Sequence, residues 1–392
     1  MTVLAERIDT QNRSGTLAQA VIVLLAASLV MDGIGFPGLG IPVNAVATGL
    51  LVLTALIANR QHVAPPMWMT VVAVAGPSWI AIASVIAGNP DLKRLANLGL
   101  FSVLTLVIAY SWIDTTSLGR GMAIGMVGGV VWGAATLQQS SYAHRLTGLF
   151  GDPNTAGLII AVFTALALPA VKNPAARTAI LVTGAAGIWL TESRTAFLAG
   201  SAMLAWALLH RLRLNPWVAV AALSLGFQWV VTAAQDGFLG DTFTERYGSD
   251  QLRQRINDTE LAQVATSPWT GHGAGTARVL IDGRNFFFHS SYLSVRSEGG
   301  WIAFILVVGL LAVTLAALLS LGKFRNTSYE AALIGVAICA LNLGEALMTI
   351  MSALAIGAAM HHIVITRQTR GRHKAGPPQE PLEEQLRRGY WT

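Results

Sequence analysis

Apolar runs long enough to cross a lipid bilayer recur along this chain, and they dictate most of what it can fold into. A bilayer core takes about 20 apolar residues per helix. Such runs fall at roughly 17–31, 42–58, 67–87, 95–113, 118–137, 155–171, 177–191, 194–210, 216–234, 299–321, 329–347 and 349–366. Backbone polar groups in lipid must be satisfied within the segment, so runs of this length are helices. A β-barrel would instead need short alternating strands. Charged residues make up only 12% of the 392, against roughly 25% in soluble domains. The sequence therefore predicts an all-α polytopic membrane protein with about twelve transmembrane helices.

Its organisation follows from where the apolar runs stop. Residues 1–16 form a polar N-terminus, 17–234 hold nine helices, 235–298 form one long loop, 299–366 hold three more helices, and 367–392 form a polar tail. The first apolar run is long and no A-x-A site closes it, so it reads as a retained helix. The net charge of +6 raises the question of nucleic acid. Most of the arginines fall in short loops, however, where topology accounts for them. With the N-terminus inside, Arg7, Arg13, Arg60, Arg120, Lys172, Arg177, Arg211, Arg213, Lys323 and Arg325 share the cytoplasmic side. The short outer loops then hold only Lys93, Arg94, Arg145 and Arg194. Both termini are expected to be cytoplasmic and the long loop extracytoplasmic. The single cysteine, Cys339, lies in an apolar run, so no internal disulfide or thiolate cluster can form.

Chemistry concentrates on the outer side. Arg145 and Arg194 break the inside preference for basic residues. One such arginine can snorkel to lipid phosphate, but two on the side of the long loop favour a shared anion site. The loop contains SDQLRQRINDTELAQVA, 249–265, in which Leu252, Ile256, Thr259, Leu261 and Val264 recur at near-helical spacing. That pattern predicts one amphipathic helix lying at the membrane surface, with Arg253, Arg255, Asp258 and Glu260 at its polar positions. A glycine turn follows in TSPWTGHGAGTA, 266–277, which can offer backbone N–H groups to an anion. Then comes RNFFFHSSYLSVRSEGG, 284–300. It places His289 beside Phe286, Phe287 and Phe288, where the rings can stack on sugar or prenyl or form an interfacial belt. Glu298 is expected to cap the next helix.

Several chemistries lack their motifs. There is no H-E-x-x-H, no G-x-S-x-G, no Walker A lysine and no Asp-x-Asp pair. What remains is arginine with one well-placed histidine. That suits a metal-free reaction on an anionic, phosphate-bearing substrate. Arginine would stabilise the phosphate and histidine would move a proton.

Three stretches then line up: RLTGLFGDPNTAG at 145–157, SRTAFLAG at 193–200, and SPWTGHGAG at 267–275 followed by His289 and Gly300. In order, spacing and membrane side, this set resembles the O-antigen ligase and O-antigen polymerase superfamily. The resemblance implies a GT-C-like helical fold in the bacterial inner membrane, with its site at the outer face. It implies a glycan donor on undecaprenyl diphosphate, a glycan or glycolipid acceptor, surrounding membrane lipids, and neither metal nor cofactor. By the same resemblance His289 is the catalytic histidine, and Arg145, Arg194 and Arg253 bind the donor diphosphate. Arg255 is close enough to Arg253 to share that assignment. Asn154, Tyr292, Arg296 and Glu345 are supporting candidates. The chain departs from the family pattern at Ser290 and Asn257, positions that bear on the acceptor. A ligase is the leading expectation and a polymerase the alternative. A transporter or flippase is the competing class, compatible with Pro77 and glycines inside apolar runs. Against it, the spans carry few central charges.

Overall fold

The computed structural model describes residues 16–36, 38, 40–57, 63–142, 144–235 and 247–374. The expected N-terminal segment with Arg7 and Arg13, the Arg60 loop, residues 236–246 and the tail from 375 lie outside the described residues.

Every apolar run of the sequence falls on a helix. In chain order these are α1 (Thr16–Ser28), α2 (Val43–Ile57), α3 (Met67–Ile86), α4 (Leu92–Ala109), α5 (Thr115–Ala135), α6 (Pro153–Ala167), α7 (Pro174–Thr191), α8 (Arg194–Arg211) and α9 (Pro216–Gln235). After α10 (Tyr247–Ala265) come α11 (Ser291–Leu319), α12 (Thr327–Asn342) and α13 (Ile350–Lys374). Among the described residues, six are long and apolar enough to cross a membrane: α3, α4, α5, α6 with its extension to Ala170, α11 and α13. Helices α7 and α8 reach 18 residues but carry less apolar sequence. The chain is thus a mostly helical, multi-pass membrane protein.

Polar side chains fix where the helices begin. Asp91, Asp114, Asp152, Asn173, Ser193 and Asn326 each accept a backbone N–H from the first turn that follows. Helix α6 touches α5, α7, α8, α12 and α13, and with α13 it is the most enclosed. Outside it, α13 packs on α4, α12 on α8, and α11 on α3. The α3–α4, α5–α6, α7–α8 and α12–α13 connections and the start of α11 come together around two neighbouring cavities.

The long loop has a small core of its own. Strands β1 (Arg278–Ile281) and β2 (Arg284–Phe287) form an antiparallel hairpin. Asp282 and Gly283 supply its two-residue turn, both at positive φ (51° and 75°), as a tight hairpin turn requires. Ile256, Ala277, Val279, Ile281 and Phe288 bury one another, with Leu252, Val264 and Phe286 alongside. The apolar face of α10 is therefore covered by the hairpin rather than laid open along its length; only Leu261 stays half exposed. The three phenylalanines also part company. Phe288 is core, Phe286 packs beside it, and Phe287 is exposed.

Helix α11 begins at Ser291, eight residues before the apolar run that announced it. The intervening SYLSVRSE is helical and faces protein: Ser291, Ser294, Arg296, Ser297 and Glu298 are all buried. Glu298 is no helix cap. At Gly300 the helix breaks, with φ 67° and ψ −163°, a conformation essentially confined to glycine. Carbonyls around the break accept from outside the helix. Ser297 O takes His272 N–H (2.9 Å), Glu298 O takes Gly273 N–H (2.9 Å), and Gly299 O takes the Trp79 indole N–H (2.9 Å). The glycine turn is thus an anchor for the loop on α11.

A methyl group at Gly300 would sit 1.8 Å from the Trp269 carbonyl oxygen. Gly300→Ala therefore adds a clash to a backbone strain of about 1–3 kcal/mol. The expected result is a clear fall in the thermal unfolding midpoint in detergent, larger than for Gly309→Ala, where nothing lies nearby.

Candidate functional site

Five segments distant in sequence meet in one cavity of about 350 Å³ at the loop end of the bundle. Its walls include Arg145, Asn154, Arg194, Arg253, Asn257, His289 and Ser290, with Glu192, Leu341 and Asn342 completing part of the rim.

Local structure explains the convergence of the first three. Chain reversal between α7 and α8 takes two residues, because Glu192 adopts the left-handed conformation (φ 47°) and Ser193 caps α8. The reversal is tied to its neighbours at three points. Arg145 Nε–H donates to Thr191 O (2.8 Å), Leu146 N–H donates to Leu190 O (2.8 Å), and the Ser193 hydroxyl donates to Asn154 Oδ1 (2.8 Å). Arg145 is buried, while Arg194 and Arg253 are exposed to the cavity side of the molecule.

His289 lies between the hairpin and α11 and is half-buried. Its backbone N–H donates to Glu260 Oε1 at 2.5 Å, and the Ser290 N–H is held by the same carboxylate. Ser290 occupies the capping position of α11 but makes no side-chain cap bond. Glu260, reaching across from α10, does that work instead. Glu260 is fully buried, and Oε2 has no hydrogen-bond partner among the described residues. Burial pushes its carboxyl above the usual range, against the two N–H groups that pull it down. The imidazole of His289 has its pKa lowered, first by burial and then by the nearby Arg253 guanidinium. The neutral ring is therefore favoured at pH 7.

Other sequence candidates lie elsewhere. Arg255 pairs with Asp282 at the hairpin turn (2.9 Å), so of the two arginines only Arg253 reaches the cavity. Helical geometry explains the split, since residues two apart point to different faces. Tyr292 donates its hydroxyl to Ala337 O (2.9 Å) in the α11–α12 contact. Arg296 donates to the carbonyls of Ser267 and Pro268 (3.2 Å each) and lies over the Trp301 ring. It braces the Ser-Pro turn. The ring of His272 faces the Ser267 hydroxyl.

A second, smaller cavity of about 150 Å³ adjoins the first. At its floor Glu298 accepts from Arg94 Nε at 3.2 Å and from Gly275 N–H at 2.9 Å. Glu345 stands 3.9 Å from Arg94. No sequence signal marks the pairing of Arg94 with Glu298, because 204 residues separate them.

Fold and site together define a multi-pass helical membrane protein with an arginine-lined cavity and one histidine at its loop end. Residues 179–308 match the family described as O-antigen ligase. That stretch contains Arg194, Arg253 and His289. No curated protein matches the chain.

The Arg94–Glu298 pair is almost completely buried, with side chains 10% and 3% exposed. Removing one partner of such a pair costs about 3–5 kcal/mol, because the other charge is stranded. Glu298→Ala should lower the unfolding midpoint markedly. Replacing both residues together, as Arg94→Met with Glu298→Leu, should restore much of the loss.

Proposed function

We propose that this protein is an inverting, metal-independent glycosyltransferase of the O-antigen ligase type. It would move a glycan from an undecaprenyl-diphosphate donor to an acceptor hydroxyl at the outer face of the bacterial inner membrane. The observation that supports the reading is the meeting of Arg145, Arg194, Arg253 and His289 around one cavity. The proposed topology has about twelve spans, cytoplasmic termini, and this cavity on the opposite side.

In this mechanism the three guanidiniums hold the donor diphosphate and neutralise the charge that grows on it as it leaves. Neutral His289 takes the proton from the acceptor hydroxyl. The freed oxygen forms a bond to the anomeric carbon while the carbon–oxygen bond to the diphosphate breaks. Configuration inverts in that single displacement. Glu260 does not touch the reactants; it fixes the backbone that presents His289.

Purified protein in detergent, given an undecaprenyl-diphosphate oligosaccharide and EDTA, should transfer glycan to a lipid-A-core acceptor. Transfer to a second donor molecule alone would instead make it a polymerase, and no turnover with any acceptor would favour a transporter. His289→Ala should lose about 100- to 10,000-fold in rate with donor still bound. Each of Arg145→Ala, Arg194→Ala and Arg253→Ala should cost on the order of 100-fold. Full activity in His289→Ala would remove the histidine from the mechanism.

The pH dependence has a defined sign. The base must be neutral, so kcat/KM falls as pH drops through the pKa of His289 in the free enzyme. Burial and then the Arg253 guanidinium set that pKa below the ordinary histidine value. Among the residual activities, Arg253→Ala should show its acidic limb at higher pH than wild type, and Arg194→Ala serves as the comparison.

A further inference from the structure

Two cavities share one thin wall. Phe288 and His289 are consecutive, yet Phe288 lines the smaller cavity and His289 the larger. On the facing segment Asn342 lines the larger, and Gly344 and Glu345 the smaller. The two segments are bound to each other. The Ser291 hydroxyl donates to Leu343 O and accepts from Ala346 N–H at 2.7 Å.

The two cavities differ in charge. The larger carries Arg145, Arg194 and Arg253 against Glu192 alone. In the smaller, Lys93, Arg94 and Arg278 are matched by Asp91, Glu298 and Glu345. Its charges are also paired: Arg94 with Glu298 (3.2 Å), Arg278 with Asp91 (3.7 Å). A cavity of balanced, mutually held charges does not select an anion. It offers fixed donors and acceptors to a neutral polyhydroxylated ligand. It also has an exposed ring, Phe287, with the Arg278 guanidinium 4.7 Å from its centroid. Apolar sugar faces stack on such rings, while Asn97 and the carboxylates can take the hydroxyls.

We propose that this smaller cavity binds the sugar end of the acceptor. The inference rests on the glycosyltransferase reading for its direction. An inverting displacement needs the nucleophile opposite the leaving group. With the diphosphate held by the arginines, the acceptor would enter over the rim at Phe288–His289, the boundary that the larger cavity shares with the one holding Phe287.

The test uses the full chain in detergent. Its single native cysteine, Cys339, is buried, so Asn97→Cys, at an exposed position, gives one reactive thiol. A lipid-A-core glycolipid should slow maleimide labelling of that thiol several-fold, and the undecaprenyl-diphosphate donor should not. Phe287→Ala and Asn97→Trp should each raise the acceptor KM about tenfold, as expected for losing a stacking contact or filling the cavity, with kcat and donor binding unchanged. Protection by the donor alone, protection by neither lipid, or an unchanged acceptor KM in both variants would overturn the proposal. Protection by the acceptor in a protein that transfers nothing would instead sink the transferase reading and leave the sugar site standing.

Discussion

The break in α11 at Gly300 is the constraint on which the site depends. An unbroken helix would keep the carbonyls of Ser297, Glu298 and Gly299 for its own next turn. With the break, the same carbonyls receive His272, Gly273 and Trp79, and α11 is fastened to the loop and to α3 at once. Buried polar groups near lipid are costly when unpaired, so each of these bonds is a strong positional constraint. Glu298 acts at the same point through its side chain. It draws Arg94 at the start of α4 and Gly275 in the loop onto α11. The first turns of α11 thereby become a rigid platform, although five of the eight residues from Ser291 to Glu298 are polar.

That platform fixes His289 by its backbone rather than by its ring. Glu260 accepts both N–H groups at the head of α11, and Ser291 ties the same turn to the α12–α13 connection. The imidazole is left to face the cavity. Arg145 is held in the complementary way, through Nε on the Thr191 carbonyl, which leaves the far end of the guanidinium directed by an already ordered residue. Pre-organised donors of this kind need no rearrangement as charge develops. The cost of ordering them is met by folding, in loop segments that hold one another.

How much of this was legible depends on the range of the interaction. Helices could be read from apolar runs, and their starts from Asp, Asn and Ser caps, because both signals are local. Arg145, Arg194 and His289 could be singled out because each is a polar residue in an improbable place. The hairpin was also signalled locally, by Asp282-Gly283 between short apolar stretches, but in a chain dominated by helices that signal is easily passed over. The early start of α11 was hidden for a different reason. Ser291–Glu298 is polar because it faces protein, and hydropathy registers only what faces lipid. Arg94, Glu298 and Glu260 could not be found at all from spacing. Their partners lie 204 and 29 residues away, and only the fold brings them into contact.

One pattern in the sequence carries further than it first seems to. On the proposed orientation, four basic residues in short outer loops oppose the usual bias: Lys93, Arg94, Arg145 and Arg194. All four line one of the two cavities, Lys93 and Arg94 the smaller, Arg145 and Arg194 the larger. Basic residues in outer loops work against the topology that the remaining loops impose. They persist here where a fold-level partner or a cavity occupies them, as Glu298 does for Arg94 and the Thr191 carbonyl for Arg145. In a multi-pass chain with a strong inside bias, the exceptions therefore locate buried or ligand-facing chemistry better than any short motif, because each exception has to be stabilised by something the loop itself does not contain.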